Sequence, residues 1–215
     1  MNMQIKRTAN AGVLLTLDGV SLLLDGVCNR VEAYLATPEA IRRQLLESPA
    51  DGVAFSHSHS DHYDASFVAA YLEKTAGPII GPADIPFCTE QVCQIKGVRV
   101  TPVKSRHIGK VEQAGHCSFV IEGSACVWFT GDAAPAQWHN RSDLPKPDVL
   151  IAPYAYAIGL GWEQTKALGA KKVVLLHLPE RSEDVYGLWN SVESTIGSAP
   201  SPEVSIPQMG EEIHL

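Results

Sequence analysis

The chain has 215 residues, of which 45% are hydrophobic and 19% are charged, and its formal net charge is −7 at pH 7. These values are ordinary for a globular protein with a hydrophobic core. The acidic balance, with Lys171-Lys172 as the longest basic run, argues against a nucleic-acid partner, because a surface that binds phosphates needs clustered positive charge.

Neither a membrane segment nor a disulfide framework is indicated by the sequence. No hydrophobic run reaches the roughly 18 residues that span a bilayer, and the polar start Met1–Ala9 is unlike a signal peptide. The five cysteines are odd in number and contain no CxxC pair. This pattern favours a reducing compartment, so we expect a cytoplasmic protein that does not bind membranes.

The first half of the chain alternates short hydrophobic runs with segments of helical periodicity. Asp18-Gly19 separates two β-rich runs and predicts a tight hairpin turn. Thr37 is a suitable N-cap residue before Pro38, because proline is favoured at the first position of a helix. In chain order we predict strands at Gly12–Leu17 and Val20–Leu24, a helix at Ala40–Glu47, a strand at Val53–Phe55, a helix at Asp64–Thr75, a strand at Pro78–Gly81, a helix at Ala83–Gln94 and a strand at Val98–Val103.

The second half roughly repeats this order. The predicted elements are strands at Cys117–Ile121, Ala125–Thr130 and Asp148–Ala152, a helix at Trp162–Leu168, a strand at Val173–Leu176, a helix at Asp184–Ile196 and a strand at Val204–Leu215. Strands interleaved with helices imply sheets that are covered by helices. Because we find no long linker, low-complexity tract or solenoid repeat, we expect residues 1–215 to form a single α/β domain.

Residues 57–62 read HSHSDH and crowd three of the eight histidines of the chain into six positions. His57 and His59 are two residues apart, so in an extended segment both imidazoles point to the same side. Asp61 and His62 follow, where the chain turns into the next predicted helix. Imidazole and carboxylate groups suit zinc and, with more carboxylate, iron or manganese. Alone, the motif also fits surface histidines on a strand or a tract that buffers metal loosely.

Three other polar residues follow the ends of predicted strands. They are His107, Asp132 in the stretch FTGDA, and His177 in VVLLHLP. In layered α/β architectures the loops after strands gather on one edge and build the functional site there. These residues are therefore expected near the histidine-rich segment. His116 lies soon after His107 and is an alternative third imidazole, and the residue pattern leaves this choice open.

Together these motifs resemble those of the metallo-β-lactamase superfamily. The order is HSHSDH at 57–62, a further histidine, GD at 131–132 and a last histidine. The opening runs NAGVLL and LLLDG and the tail MGEEIHL are also similar to strands of that superfamily, so the resemblance spans almost the whole chain. It implies an α/β fold, namely a four-layer αββα sandwich of two mixed β-sheets flanked by helices.

The resemblance also implies a binuclear centre that holds two divalent metal ions. His57, His59 and His107 would hold the first ion, Asp61, His62 and His177 would hold the second, and Asp132 would bridge both. Zinc is the favoured metal, with Mn²⁺ or Fe²⁺ as alternatives. Similarity to members of the glyoxalase II type favours His107 over His116, which would then be a structural residue beside the site.

Several neighbours of this site have two interpretations. Asp25 either bonds a liganding histidine or forms only a turn with Gly26. Tyr154 and Tyr156 either contact substrate or pack against the preceding strand. Ala133 stands where many relatives have a hydroxyl residue, so any bond from that hydroxyl is missing. The segment that is expected to face the substrate is Ala133–Pro147, with Trp138, His139 and Asn140.

The activity that the resemblance implies is metal-dependent hydrolysis. A metal-bridging hydroxide would attack a small-molecule ester, lactone, thioester or phosphodiester, and Asp61 would orient the hydroxide and accept its proton. The expected partner is thus a small-molecule substrate. An iron-dependent oxidoreductase of the same fold, similar to the persulfide dioxygenases, and a non-catalytic metal-binding relative are the alternatives. The sequence leaves the oligomeric state open, with a homo-oligomer among the alternatives.

Overall fold

The computed structural model describes residues 3–109, 115–139, 141–197 and 202–215. The strands are β1 (Met3–Arg7), β2 (Val13–Leu17), β3 (Val20–Leu24), β4 (Gly52–Ala54), β5 (Ile79–Ile80), β6 (Cys93–Ile95), β7 (Val98–Lys104), β8 (Cys117–Glu122), β9 (Cys126–Phe129), β10 (Val149–Pro153), β11 (Lys172–Leu176), β12 (Glu203–Ser205) and β13 (Glu212–His214). The α-helices are α1 (Glu39–Glu47), α2 (Ala65–Lys74), α3 (Leu160–Ala167) and α4 (Leu188–Ile196), with short 3-10 helices at Pro135–Trp138, Tyr154–Ala157 and Arg181–Glu183. None of the helices within these ranges is both long and apolar enough to cross a bilayer.

The strands form two mixed sheets. The first has the order β13-β1-β2-β3-β4-β5 and the second has the order β12-β11-β10-β9-β8-β7-β6. In the first sheet β3, β4 and β5 pair in parallel, and the other pairs are antiparallel. In the second sheet β9 to β12 pair in parallel, and β6 to β9 pair in antiparallel order. Each sheet therefore combines a hairpin-built part with a part built from crossovers through helices.

A shared hydrophobic core joins the two sheets face to face. Ile5, Leu15 and Leu22 of the first sheet lie in one buried cluster with Phe119 and Phe129 of the second. The period-two alternation of a strand makes this arrangement possible, because successive side chains point to opposite faces of the sheet.

Helices cover the outer faces of both sheets. The outer cluster of the first sheet includes Leu23, Leu45, Val53, Phe67 and Tyr71, with side chains from α1 and α2. That of the second sheet includes Trp128, Leu150, Trp162, Trp189 and Val192, with side chains from α3 and α4. The predicted four-layer αββα sandwich is confirmed.

The hairpin between β2 and β3 was predicted correctly, and its turn also joins the two sheets. Asp18 and Gly19 both have positive φ angles, of 53° and 78°, as the two central residues of a type I′ turn require. The Asp18 carboxylate accepts hydrogen bonds of 2.6 Å from the backbone nitrogen and the hydroxyl of Ser124, in the turn between β8 and β9. One exposed carboxylate thus connects both hairpin turns.

Two helix predictions in the first half were wrong in different ways. The structure has turns and β6 in place of a helix at Ala83–Gln94. Pro86 has no N–H and disfavours a helical residue before it, and Phe87 has a φ of 67°. Thr37 does not cap α1, because its hydroxyl accepts a hydrogen bond from the backbone nitrogen of Cys28 at 3.0 Å. The helix begins at Glu39 without a side-chain cap.

The predictions for both ends of the chain also needed correction. The strand β1 was missed, because MQIKR alternates apolar with polar residues over only five positions. The predicted strand Val204–Leu215 is instead two short strands, β12 in the second sheet and β13 in the first. Pro207 and Gly210, which has a φ of 81°, interrupt the run. The chain therefore crosses from one sheet to the other near its end.

The predicted helix Asp184–Ile196 begins four positions later, at Leu188. Gly187 precedes the helix with a φ of 66°, in the left-handed region. The Asp184 carboxylate accepts hydrogen bonds of 2.9 Å from the backbone nitrogens of Leu188 and Trp189. Asp184 is thus a capping residue rather than part of the helix, because its carboxylate satisfies amides that a helix N-terminus leaves free.

Leu15→Ala tests the core between the sheets. Leu15 is completely buried, so the substitution should lower the free energy of unfolding by about 2–5 kcal/mol, from lost burial and the cavity left behind. Urea denaturation followed by circular dichroism measures this change. As a control, Leu160→Ala removes a side chain that is 80% exposed and should leave the unfolding midpoint unchanged. Equal midpoints for both variants would contradict the described core.

Candidate metal centre

The predicted ligand residues follow strands that end at one edge of the sandwich. Residues 57–62 follow β4 in the first sheet, whereas Asp132 follows β9 and His177 follows β11 in the second. Since β9, β10 and β11 are parallel, their C-terminal ends meet at the same edge. All seven residues to which the sequence analysis assigns a metal come together there.

Gly131 allows the turn before Asp132 to approach the histidine-rich segment. Its φ is 52°, and a Cβ atom at this position would lie only 2.3 Å from the Cβ atom of Ser56. A larger residue would push the turn away from Ser56, which directly precedes His57. The GD pair therefore combines a close backbone approach with a carboxylate that reaches the histidines.

The first cluster consists of His57, His59 and His107. One ring nitrogen from each residue lies within 4.8 Å of the others. Nε2 of His57 and Nδ1 of His59 are 2.9 Å apart, and the ring centroids of His57 and His107 are 4.8 Å apart. His57 is buried, whereas His59 and His107 are partly exposed. The cluster thus offers three imidazoles and remains open to solvent on one side.

The second cluster consists of Asp61, His62 and His177, whose ligand atoms also lie within 4.8 Å of one another. Nε2 of His177 is 3.3 Å from Oδ2 of Asp61. His62 is completely buried, and the side chain of Asp61 is 14% exposed. This cluster combines two imidazoles with a carboxylate that solvent can reach.

Asp132 lies between the two clusters. Its Oδ2 atom is 3.5 Å from Nε2 of His107 in the first cluster. The same atom is 3.4 Å from Nε2 of His62 and 3.3 Å from Nε2 of His177 in the second cluster. One oxygen thus faces nitrogens of both clusters, so the two clusters share this carboxylate.

The unpaired polar atoms of the site fit metal ions. The Nε2 atoms of His62, His107 and His177 are buried and have no hydrogen-bond partner. A buried polar atom without a partner costs about 1–3 kcal/mol, so such atoms are uncommon unless another group satisfies them. Here the nitrogens face carboxylates, which is the donor set of a divalent transition metal.

The buried carboxylate of Asp25 determines which ring nitrogens carry protons. It accepts hydrogen bonds from the Ser56 hydroxyl at 2.5 Å and from Nδ1 of His62 at 2.8 Å. A carboxylate only accepts, so the Ser56 hydroxyl must donate to it and must itself accept from Nδ1 of His57, which lies 2.9 Å away. Both histidines therefore carry a proton on Nδ1, which leaves Nε2, the atom that faces the centre, as the nitrogen that a metal can take.

Electrostatic interactions keep Asp132 and Asp61 ionised. Burial opposes this charge, but His177 and His62 hold the pKa of Asp132 well below its ordinary value. Likewise, burial is outweighed by His177 and His62, which lower the pKa of Asp61. Against the effect of burial, Asp132 and then Asp61 raise the pKa of His177 to about 9. Without metal, the second cluster thus holds its negative charge and compensates it with protonated imidazole.

His116 lies beside the first cluster but is not one of its three members. Its Nδ1 atom is 2.7 Å from the Ser105 hydroxyl, which is 3.0 Å from the Ser118 hydroxyl, and Ser118 donates to the carbonyl of Thr130 at 2.7 Å. Because the carbonyl only accepts, each group in this chain donates to the next, and the proton of His116 is on Nδ1. The structure groups His107, rather than His116, with His57 and His59.

Two tyrosines lie on the His177 side of the centre. The ring of Tyr34 contacts the ring of His177 edge-on at a centroid distance of 4.5 Å, and the ring of Tyr154 lies 6.4 Å from it. Tyr156 points elsewhere: it is buried, accepts a hydrogen bond from Trp138 at 2.6 Å and donates one to the carbonyl of Ala133 at 2.9 Å. The packing interpretation is therefore the right one for Tyr156, whereas Tyr154 borders the site.

The start of the segment Ala133–Pro147 packs into the protein rather than facing a substrate. Ala133 and Trp138 are buried in the outer cluster of the second sheet, and His139 is exposed. Asn140 lies outside the described residues. The expectation that this segment faces the substrate is thus not supported for Ala133 and Trp138.

Comparison with known proteins shows the family to which the chain belongs. The beta-lactamase superfamily domain matches residues 4–176, which ends directly before His177. The fold is that of metallo-β-lactamase-type metallo-hydrolases, and the chain belongs to the beta-lactamase superfamily. No curated protein matches the sequence.

Solved structures share this fold at low sequence identity. A "possible metal-dependent hydrolase" from Veillonella parvula has a TM-score of 0.70 and 18% identity, with 100% of both chains covered. The metallo-beta-lactamase fold protein YhfI from Bacillus subtilis has a TM-score of 0.66 and 20% identity, covering 98% of this chain and 99% of that one. CmlA, a diiron β-hydroxylase from Streptomyces venezuelae, has a TM-score of 0.65 and 10% identity, covering 99% of this chain and 54% of that one.

Two residues near the centre were missed by the sequence analysis. Tyr34 lies in the connection between β3 and α1, and Arg7 lies at the end of β1. Neither belongs to a motif: the ring of Tyr34 contacts His177, and Arg7 bonds the carbonyls of Asn10 and Leu178 beside the His177 backbone.

The protonation of His177 predicts a pH-dependent metal affinity. Below about pH 9 a proton occupies this imidazole in the metal-free chain, and an incoming ion must displace it. Zinc affinity should therefore rise with pH between about pH 6 and pH 8, by about tenfold per pH unit for each proton displaced.

Isothermal titration calorimetry in two buffers of different ionisation enthalpy measures both the affinity and the protons released. His214→Ala is a matched control, because this histidine is exposed on β13 and should leave both quantities unchanged. Zinc binding without proton release would contradict the charge distribution described for the second cluster.

Proposed function

We propose that the chain is a metal-dependent hydrolase that cleaves a small-molecule ester, lactone, thioester or phosphodiester. The observation that carries the proposal is the convergence of three buried, unpaired imidazole nitrogens on the carboxylate of Asp132. Membership of the superfamily agrees with a metallo-hydrolase. A constellation of this kind suits metal-assisted attack of water on a carbonyl or phosphoryl centre.

Each cluster is assigned one divalent ion in this proposal. His57, His59 and His107 would hold the first, Asp61, His62 and His177 would hold the second, and Asp132 would be shared by both. Zinc is proposed because imidazoles dominate the donor set, with Mn²⁺ or Fe²⁺ as alternatives. When bound, such ions lower the pKa of water and polarise the oxygen of the scissile group.

Asp61 is the proposed catalytic residue. Its side chain is partly exposed, so a water molecule or a substrate can reach the carboxylate. Its pKa is lowered by His177 and His62 in spite of burial, so the group is ionised at neutral pH and can accept a proton from the attacking water. Asp25 supports this arrangement from behind, because it orients His62 through Nδ1.

The substrate is proposed to lie against Tyr34. The phenol of Tyr34 is half-buried beside His177. Burial first, and then Tyr154 and the carboxylates of Asp132 and Asp61, raise the pKa of Tyr34, so that its hydroxyl stays protonated. It can therefore donate a hydrogen bond to an oxygen on which charge develops.

An oxidoreductase is the second candidate function, and one comparison favours it: the fold is shared with a diiron β-hydroxylase. The donor set favours hydrolysis instead, because the first cluster has three imidazoles and shares only Asp132 as a carboxylate. Metal analysis of protein that is purified after cytoplasmic expression distinguishes the hydrolase from the oxidoreductase. Zinc or manganese with hydrolysis supports the first function, and iron with oxygen uptake supports the second.

The proposed partner is a small molecule, and the proposed location is the cytoplasm. The proposal of the cytoplasm is based on five free cysteines, because free thiols are typical of proteins from a reducing compartment. The negative net charge agrees with a protein that has no nucleic-acid partner.

Asp132→Ala tests the proposed centre. Loss of the carboxylate between the clusters should abolish metal-dependent turnover and lower the bound metal to one ion or less per chain, because both ions lose a shared ligand. Elemental analysis measures the metal, and a panel of p-nitrophenyl acetate, γ-lactones, thioesters and bis-p-nitrophenyl phosphate measures turnover. Asp143→Ala is the control, since this carboxylate is exposed and pairs with Arg141. Full activity in the Asp132 variant would rule out the proposed scheme.

Tyr34→Phe tests the proposed substrate contact. Removal of one hydrogen-bond donor to the developing charge should lower kcat by about tenfold and leave the metal content unchanged. Steady-state kinetics on the best substrate of the panel measures the effect. Tyr186→Phe removes a hydroxyl from a side chain that is 80% exposed and serves as the control. If both variants keep the wild-type kcat, Tyr34 only packs against His177.

A further inference from the structure

Arg7, the last residue of β1, has a buried guanidinium group whose hydrogen bonds within the described residues all go to backbone carbonyls. The residue is 3% exposed. The atom Nε donates to the carbonyl of Ala9 at 3.2 Å, and Nη1 donates to that of Pro207 at 3.1 Å. The atom Nη2 donates to the carbonyls of Asn10 at 3.3 Å and Leu178 at 3.4 Å. The planar fork of arginine thus joins the turn after β1, the loop after β11 and the segment between β12 and β13.

Two of these four carbonyls lie next to the backbone of His177. The carbonyl of Asn10 accepts a second hydrogen bond, of 3.1 Å, from the backbone nitrogen of His177. The carbonyl of Leu178 belongs to the next residue in the chain. His177 itself has a φ of 62°, in the left-handed region that residues with a side chain adopt only with support from their surroundings. Arg7 supplies this support from both sides.

We propose that Arg7 is a positioning residue for the second metal ion. By fixing the backbone around His177, it holds the Nε2 atom of this histidine 3.3 Å from Oδ2 of both Asp61 and Asp132. The inference rests on the proposed function in one respect, namely that His177 is a metal ligand. It assigns a part of the metal affinity to a side chain that touches neither ion.

The positive charge of Arg7 and its hydrogen bonds are expected to have opposite effects on metal affinity. A positive charge near a cation site disfavours cation binding, so the loss of charge alone would strengthen metal binding. Loss of the bonds that position His177 would weaken it. The direction of the change therefore separates the two roles.

Arg7→Met and Arg7→Lys in the full chain test the proposal. After treatment with a chelator, each protein is titrated with Zn²⁺ by isothermal titration calorimetry. In Arg7→Met the zinc affinity of the second cluster should fall by about 10- to 100-fold, which is the range for residues that orient metal ligands. The zinc affinity of the first cluster should stay unchanged. Arg7→Lys should change in the same direction, because one ammonium group cannot reach four carbonyls spread over three segments. If Arg7→Met does not fold, the zinc affinity of Arg7→Lys tests the proposal alone.

Leu45→Ala controls for a general loss of stability. Leu45 is buried on α1, in the hydrophobic cluster on the outer face of the first sheet. This variant should be less stable to urea and still bind both ions with wild-type affinity. Arg7 is not a positioning residue if its variants bind the second ion as tightly as wild type or more tightly. The same conclusion follows if both zinc affinities fall equally in the Arg7 and Leu45 variants. A wild-type chain that binds zinc at the first cluster only would overturn the binuclear centre, and this inference with it.

Discussion

One buried carboxylate, that of Asp132, holds three histidines from three distant segments in one place. Its Oδ2 atom faces His62, His107 and His177 at 3.3–3.5 Å. The surrounding structure serves this contact: the turn at Gly131 brings the carboxylate close to the histidine-rich segment, and parallel strands deliver the other residues to the same edge. If Asp132 moved, both clusters would lose their common neighbour.

The centre is polar and strained within an otherwise apolar sandwich. Asp25 is completely buried and has a φ of 44°, and His177 has a φ of 62°. Each left-handed residue and each unpaired buried nitrogen destabilises the folded chain, and the hydrophobic layers offset these costs. An ion that binds the folded state alone would shift the folding equilibrium in its favour by mass action. Stability and metal binding are thus coupled in this molecule.

Much of the fold could be predicted because local signals and tertiary structure agree. The runs around Asp18-Gly19 form the expected hairpin, since the turn chemistry and the alternation of apolar residues favour the same register. Prediction failed where tertiary contacts decide. Thr37 was expected to cap a helix, but it bonds Cys28. The tail was expected to form one strand, but it divides between two sheets.

In the candidate site, too, some residues could be predicted from local patterns, whereas others depend on tertiary contacts. The spacing of HSHSDH and the positions of His107, Asp132 and His177 after strands predict which side chains converge, because strand ends share an edge. The sequence could not decide between the two interpretations of Asp25, which depend on a contact with His62. Tyr34 and Arg7 could not be found at all, since their positions depend on the paths of loops and not on any local pattern.

The short strand β13 also has a consequence for the solution behaviour of the chain. It forms one edge of the first sheet and covers β1, with which it pairs over three residues. Its outward side chains Glu212 and His214 are exposed, and charge of this kind discourages pairing with another sheet. Without these last residues, the unpaired amides and carbonyls of β1 would form an open template for intermolecular β-pairing. Strand β13 thus covers this edge of the first sheet.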